Sequence, residues 1–210
     1  MREFLNNIVA IKKETDPDIE VELLIVDNSE LNHKGVPFVE DMKSTCSSLG
    51  INYVHLDVTV DHAAPIHNKI ATSANYITDY ALNHKFDYLY IVECDVLPGS
   101  TSLNKLLKYL KEGDYQAVMG SYYSGYSYTR FKLDPFFLTG MVLMDMNLFK
   151  SGLRWRYDYK VIGALPDAHM GHDLRILGSK IGFHPTLFSL HLSDGQPNPI
   201  GRPGSGWQNI

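Results

Sequence analysis

Two cysteines among 210 residues leave little for disulfide chemistry to work with. Cys46 and Cys94 stand far apart with no metal-like spacing, which excludes a disulfide framework and fits a reducing cytoplasm. Long hydrophobic runs are missing as well. No apolar stretch is long enough to span a bilayer, and no signal peptide leads the chain. An excess of positive charge is also absent: 19 Lys and Arg against 24 Asp and Glu give a net charge of −5. That balance argues against nucleic acid as a partner over the whole surface. Internal repeats are lacking, which removes solenoid architectures. What remains is an ordinary soluble composition, 44% hydrophobic and 20% charged, with one enrichment, in tyrosine (13 residues). The length suits a single domain with a large core.

The most informative stretch is Tyr88-Leu89-Tyr90-Ile91-Val92-Glu93-Cys94-Asp95-Val96-Leu97-Pro98. Five bulky apolar residues predict a parallel strand buried on both faces, and two carboxylates follow before a Pro-Gly turn. In an open α/β sheet the ligand crevice lies outside the carboxyl ends of the strands, so Glu93 and Asp95 fall where a metal or phosphate is held. Extended alternation would send both carboxylates to one side. Taken alone, the pair reads more readily as a solvated acidic loop end.

Around this strand the chain alternates. Apolar residues at 4, 5, 8, 9 and 11 mark one side of a first helix. Val21 to Val26 reads as a strand ending in Asp27-Asn28-Ser29, Pro37 to Leu49 as a helix closed by Gly50, and Ile51 to Leu56 as a strand. A helix from Ile66 to Asn83 is predicted with Ile66, Ile70, Ala74, Ile77 and Ala81 facing the core. Its first turn carries His67, Asn68 and Lys69, which serve either as a phosphate-facing helix start or as a polar surface turn. A helix follows with Leu103, Leu106, Leu107 and Leu110 inward and Lys105, Lys108 and Lys111 outward, then a strand over Gln116 to Ser121. Tyr122 to Arg130 holds four tyrosines, among them Tyr126, and offers faces for stacking on a sugar or base, or packs on itself. Phe136 to Met144 predicts a second buried strand in which Gly140 permits close backbone approach, and Asp145 to Leu153 a short helix and turn. Pro166 to Asp173 reads as a loop entering a short helix, and Phe183 to Leu190 as a last strand before His191. Residues 1–192 thus form one α/β domain with a single mixed, mostly parallel sheet flanked by helices, and 193–210 form a polar Gly/Pro-rich tail.

In order, these segments resemble the nucleotide-sugar-dependent glycosyltransferases of the A-type, Rossmann-like fold, particularly the family-2-like enzymes. The resemblance rests on Ile25-Val26-Asp27-Asn28-Ser29, on His67-Asn68, and on Ile91-Val92-Glu93-Cys94-Asp95-Val96-Leu97-Pro98, which is similar to the metal-binding Asp-x-Asp. It rests further on Thr139-Gly140-Met141, on Gly171-His172-Asp173 with Gly178, and on His191. Two departures stand out. The strand that normally opens the pattern is absent before the helix at Met1, and Glu93 and His172 replace the usual acids.

The resemblance implies a metal-dependent transfer of sugar from a nucleoside diphosphate sugar to a hydroxyl acceptor, a glycan or another alcohol. Glu93, Asp95 and His191 would hold the cation, and an imidazole ligand favours Mn²⁺ over Mg²⁺. Asp27, Asn28, His67, Asn68 and Asp95 would contact the donor, and Gly140, His172 and Tyr126 the acceptor. Asp173 would be the general base of an inverting displacement. The alternative is a non-catalytic glycan- or nucleotide-binding protein on the same fold. The edge left by an absent first strand is a reason to expect a homodimer.

Overall fold

The computed structural model describes residues 2–28, 35–57, 65–122, 140–157, 166–193 and 196–197. Helix α1 (Arg2–Glu14) leads to strand β1 (Leu24–Asp27), α2 (Gly35–Ser48), β2 (Asn52–His55) and the long α3 (Pro65–Asn83). Then come β3 (Tyr88–Val92), β4 (Val96–Pro98), α4 (Ser102–Gly113), β5 (Ala117–Tyr122) and β6 (Met141–Asp145). A short α5 (Asn147–Lys150), α6 (Pro166–Ile176), a long β7 (Ile181–Ser193) and β8 (Gln196–Pro197) complete it.

The described strands form two hydrogen-bonded groups rather than a single sheet. β1 and β2 pair in parallel, Leu24 opposite Asn52. The other strands make a six-stranded sheet in the order β3-β6-β5-β7-β4, with β8 on β7. The expectation of a mostly parallel sheet is corrected. Within the larger sheet β5 and β7 are parallel, whereas β3 with β6, β5 with β6, β4 with β7 and β7 with β8 are antiparallel. An apolar run buried on both faces reads the same in either direction, so the sense of β6 was hidden in its composition. That strand, with Met141 to Met144 buried, is the enclosed one. β3 has only Leu89 buried and pairs with β6 alone among the described strands.

Side-chain alternation divides β5 and β6 between two cores. Val142, Met144, Ala117 and Met119 face α3, α5 and α6, where they meet Ala71, Ala74, Phe149, Trp155, Met170 and Leu174. Met141, Leu143 and Val118 face α4, whose Leu103, Leu106, Leu107 and Leu110 are buried as the helical spacing predicts. A third cluster joins Phe4, Leu5 and Ile8 of α1 to Met42, Cys46 and Ile51, with Ile25, Tyr53, Val92 and Leu97 packed against it. In α3 the inward stripe runs through Ala71, Ala74, Thr78 and Ala81, and Ile70 lies outside it at 39% exposure. Of the tail, Gln196 and Pro197 fold back onto Ser193 and Leu192.

Candidate active site

Two groups of the sequence-nominated residues are assembled by the fold. The first gathers at the C-terminal end of β1. Asp27 is the last residue of that strand, and Tyr53 of β2 donates a hydrogen bond from its hydroxyl to Asp27 Oδ2 at 2.6 Å. Burial, that bond and the charge of Asp27 push the Tyr53 phenol well above the usual tyrosine range. Asn28 reaches across to α3, its Nδ2 donating to Ser73 Oγ at 2.9 Å and to the Lys69 carbonyl at 3.3 Å. The strand end is therefore tied to the first turns of α3, which carry His67 and the half-buried Asn68.

The second group surrounds the end of β3. Glu93 N donates to the carbonyl of Gly140 at 3.2 Å, and Val96 N donates to the carbonyl of Glu93 at 3.0 Å. Glu93 to Val96 is thus a tight turn, not an extended run, and the two carboxylates are set by that turn rather than by strand alternation. The predicted acceptor-side Gly140 lies beside the turn at the head of β6, because β6 runs antiparallel to β3. Val96 stands opposite His191 in the β4–β7 ladder, which brings the backbone of His191 alongside the same turn. Cys94 is exposed within the turn, and its thiol is pushed up by burial around the sulfur and by the charges of Asp95 and Glu93. Val92 and Leu97, on either side of the turn, share one apolar cluster with Ile25 and Tyr53, which links the two groups.

A cation is implied by the resemblance, and the chemistry of two carboxylates in one turn, hard oxygen donors, is of the kind a divalent ion takes. Among the described residues no cluster of three His, Cys, Asp or Glu is placed to hold a metal, and the side chain of His191 lies outside the described part. Tyr126 and Thr139 lie outside the described residues as well.

The acceptor side departs most from expectation. Pro166 to Asp173 is not a loop but most of α6. Proline at the first helical position is a start signal, and it was present in the sequence. His172 is exposed on this helix. Asp173 lies six residues beyond Asp167, about 9 Å along the axis at the usual helical rise. Both its oxygens are taken by Arg156, whose Nε and Nη2 donate at 2.7 and 2.6 Å. These bonds, with the charges of Arg156, His172 and His169, hold the Asp173 carboxyl below its ordinary value against the opposing effect of burial.

Sequence reading missed Asp167. This residue sits in the first turn of α6, half-buried, and its Oδ1 accepts from Ala168 N at 2.8 Å. Burial raises its proton affinity, while backbone hydrogen bonds and the charge of His67 pull the other way. The His67 ring lies against Tyr157 with centroids 5.3 Å apart. Tyr157 thus stands against the first turn of α3, and the charge of His67 in that turn reaches Asp167 at the start of α6.

No protein-family model matches the chain, and no curated protein matches it in sequence. Among solved structures it is similar to residues 1–349 of TarS from S. aureus, a glycosyltransferase, with a TM-score of 0.60. Identity is 13% over 90% of this chain, which spans 55% of that structure's length. The chain has a glycosyltransferase-like fold. At this identity the likeness establishes the architecture, mixed sheet included, and the chemistry is argued from the site. No helix among the described residues is long and apolar enough to cross a membrane.

Proposed function

We propose that this protein transfers a sugar from a nucleoside diphosphate sugar to a hydroxyl acceptor with the help of a divalent cation. The observation that supports the reading is the tight turn from Glu93 to Val96, whose Glu93 N–H bonds the carbonyl of Gly140 and whose Val96 pairs with His191 in the β4–β7 ladder. Glu93, Asp95 and His191 would hold the cation, Mn²⁺ in preference to Mg²⁺ if the imidazole takes part. Such an ion supplies positive charge where negative charge develops on the departing diphosphate. Asp27, braced by Tyr53, and the α3 start with Asn28, His67 and Asn68 form the donor side, where a helix N-terminus favours an anion.

The acceptor oxygen attacks the anomeric carbon while the bond from that carbon to the diphosphate breaks. The hydroxyl proton passes to a carboxylate of α6, and the diphosphate leaves with the bonding electrons. One direct displacement inverts the anomeric centre. Asp173 is the base nominated by sequence, and Arg156 keeps it ionised but weakly basic. A second reading is favoured by the raised proton affinity of Asp167, which makes it the stronger base of the two once ionised. Asp167→Asn and Asp173→Asn separate them: the variant that abolishes transfer while still binding donor has lost the base.

The deciding experiment is a thermal-shift screen of nucleoside diphosphates with and without Mn²⁺. Stabilisation by one diphosphate only with Mn²⁺, abolished by Glu93→Gln with Asp95→Asn, is the expected result. Stabilisation by none in either condition would overturn the donor site.

A further inference from the structure

Residues 153–157 are held on two sides. Toward α3, Asn75 bonds both backbone groups of Trp155 at 2.7 and 2.9 Å, and the Trp155 indole donates to Thr78 Oγ1 at 3.1 Å. One residue on, Arg156 turns toward α6 and grips Asp173 by two bonds. The next residue, Tyr157, lies against His67. A five-residue segment thus ties the two helices whose first turns carry His67 and Asp167.

Met170 and Leu174 seat α6 in the core, and one further hydrogen bond would add a distance without fixing the helix's rotation. A guanidinium forked onto both oxygens of a carboxylate fixes rotation as well as distance, because both groups are planar. Asp173 is 20% exposed and Arg156 52% exposed, so one partner of the pair is well shielded.

We propose that Arg156 and Asp173 are a positioning pair that, with the core packing of Met170 and Leu174, fixes the roll of α6 and so the place of Asp167 in its first turn relative to His67 of α3. The proposal rests on the reading of Asp167 as the general base. Among the described residues, the charged groups acting on Asp173 are Arg156, His172 and His169, and the one acting on Asp167 is His67. If the fork is lost, Asp167 moves relative to His67 and loses the charge that favours its ionised form.

The test is a carboxyl-carbon NMR titration of Asp167 in the full chain, which needs no ligand. In the parent protein the midpoint is expected above the ordinary aspartate value. His67→Gln and Arg156→Gln should each raise it further, and the double variant no further than His67→Gln alone. Arg156→Lys, which keeps the charge without the fork, should shift it in the same direction by less. Exchange of the pair, Arg156→Asp with Asp173→Arg, should return it toward the parent value. An Asp167 midpoint unmoved by Arg156→Gln, or by Arg156→Lys if the first variant fails to fold, overturns the positioning role. Failure of the underlying reading looks different: Asp167→Asn then transfers sugar at the parent rate, whatever the titration shows.

Discussion

The side-chain amide of Asn75 grips the backbone of Trp155 from both sides, donating to its carbonyl at 2.7 Å and accepting from its N–H at 2.9 Å. Trp155 is 2% exposed, so neither backbone group has water to turn to if the amide is removed. Asn75→Ala should lower unfolding free energy by about 2 kcal/mol, the cost of leaving buried polar groups unpaired. Urea denaturation followed by tryptophan fluorescence measures it, and a loss within error of zero would mean that the segment is not held by this contact.

Asp167 and Asp173, on one helix, are shifted in opposite directions and should couple to stability with opposite sign. The Asp173 value is lowered in the folded protein, so its contribution is present above the unfolded value near 4 and lost as pH falls through the folded one. The Asp167 value is raised, so its contribution is present below the unfolded value and lost as pH rises through the folded one. At neutral pH, Asp173→Asn should therefore destabilise and Asp167→Asn should stabilise. Thermal melts from pH 3 to 8 on both variants test the signs; equal signs at pH 7 would refute this account of the helix.

Tyr53→Phe removes the hydrogen bond to Asp27 and should cost about 1 kcal/mol at neutral pH. Because the Tyr53 value is raised on folding, its contribution is intact below the ordinary tyrosine range and fades only as pH rises through the folded value. The difference between parent and variant should shrink on alkaline titration. Paired denaturation curves at pH 7 and pH 11 supply the comparison, and a gap that widens with pH would contradict it.

Gly182→Ala should be costly although the residue has no unusual backbone angle. An added Cβ would meet the Tyr115 ring and Val118 Cγ1 at 2.9 Å. The ring cannot easily yield, being stacked on Tyr109 at 5.2 Å with Lys180 Nζ 5.1 Å from its centre. Overpacking of this kind costs about 1–3 kcal/mol. A melting temperature equal to the parent's would show that the β5–β7 junction accommodates the methyl group.

Legibility followed the range of the interaction. The Leu103, Leu106, Leu107 and Leu110 stripe and the Tyr88–Val92 strand are local patterns, and both stand where the sequence puts them. The direction of β6 was not legible, because the apolar run from Met141 to Met144 satisfies two buried faces whichever way it runs. Ile70 looked like core by spacing, but the small residues Ala71 and Ala74 take the packed side of α3. Around the candidate site, Asp27, Asn28, Glu93 and Asp95 are nominated by sequence because they end apolar strands. The clasp of Asp173 by Arg156, 17 residues away, and the packing of His67 against Tyr157 depend on tertiary structure that no local pattern encodes.

The ladder of β1 with β2 shares no strand pairing with the six-stranded sheet among the described residues. Side-chain packing around α1 and α2 connects the two. Backbone ladders break cooperatively, whereas packed side chains and the Asn28 bonds to α3 let go piecemeal, so the β1–α2–β2 region is expected to open as its own unit. Amide protons of Ile25 and Val26 should exchange with solvent well before those of Val142 and Leu143. Half of the candidate site, with Asp27 and Tyr53, would then breathe while the Glu93–Asp95 turn stays shut, and a bound nucleotide would be felt first as slowed exchange in that small ladder.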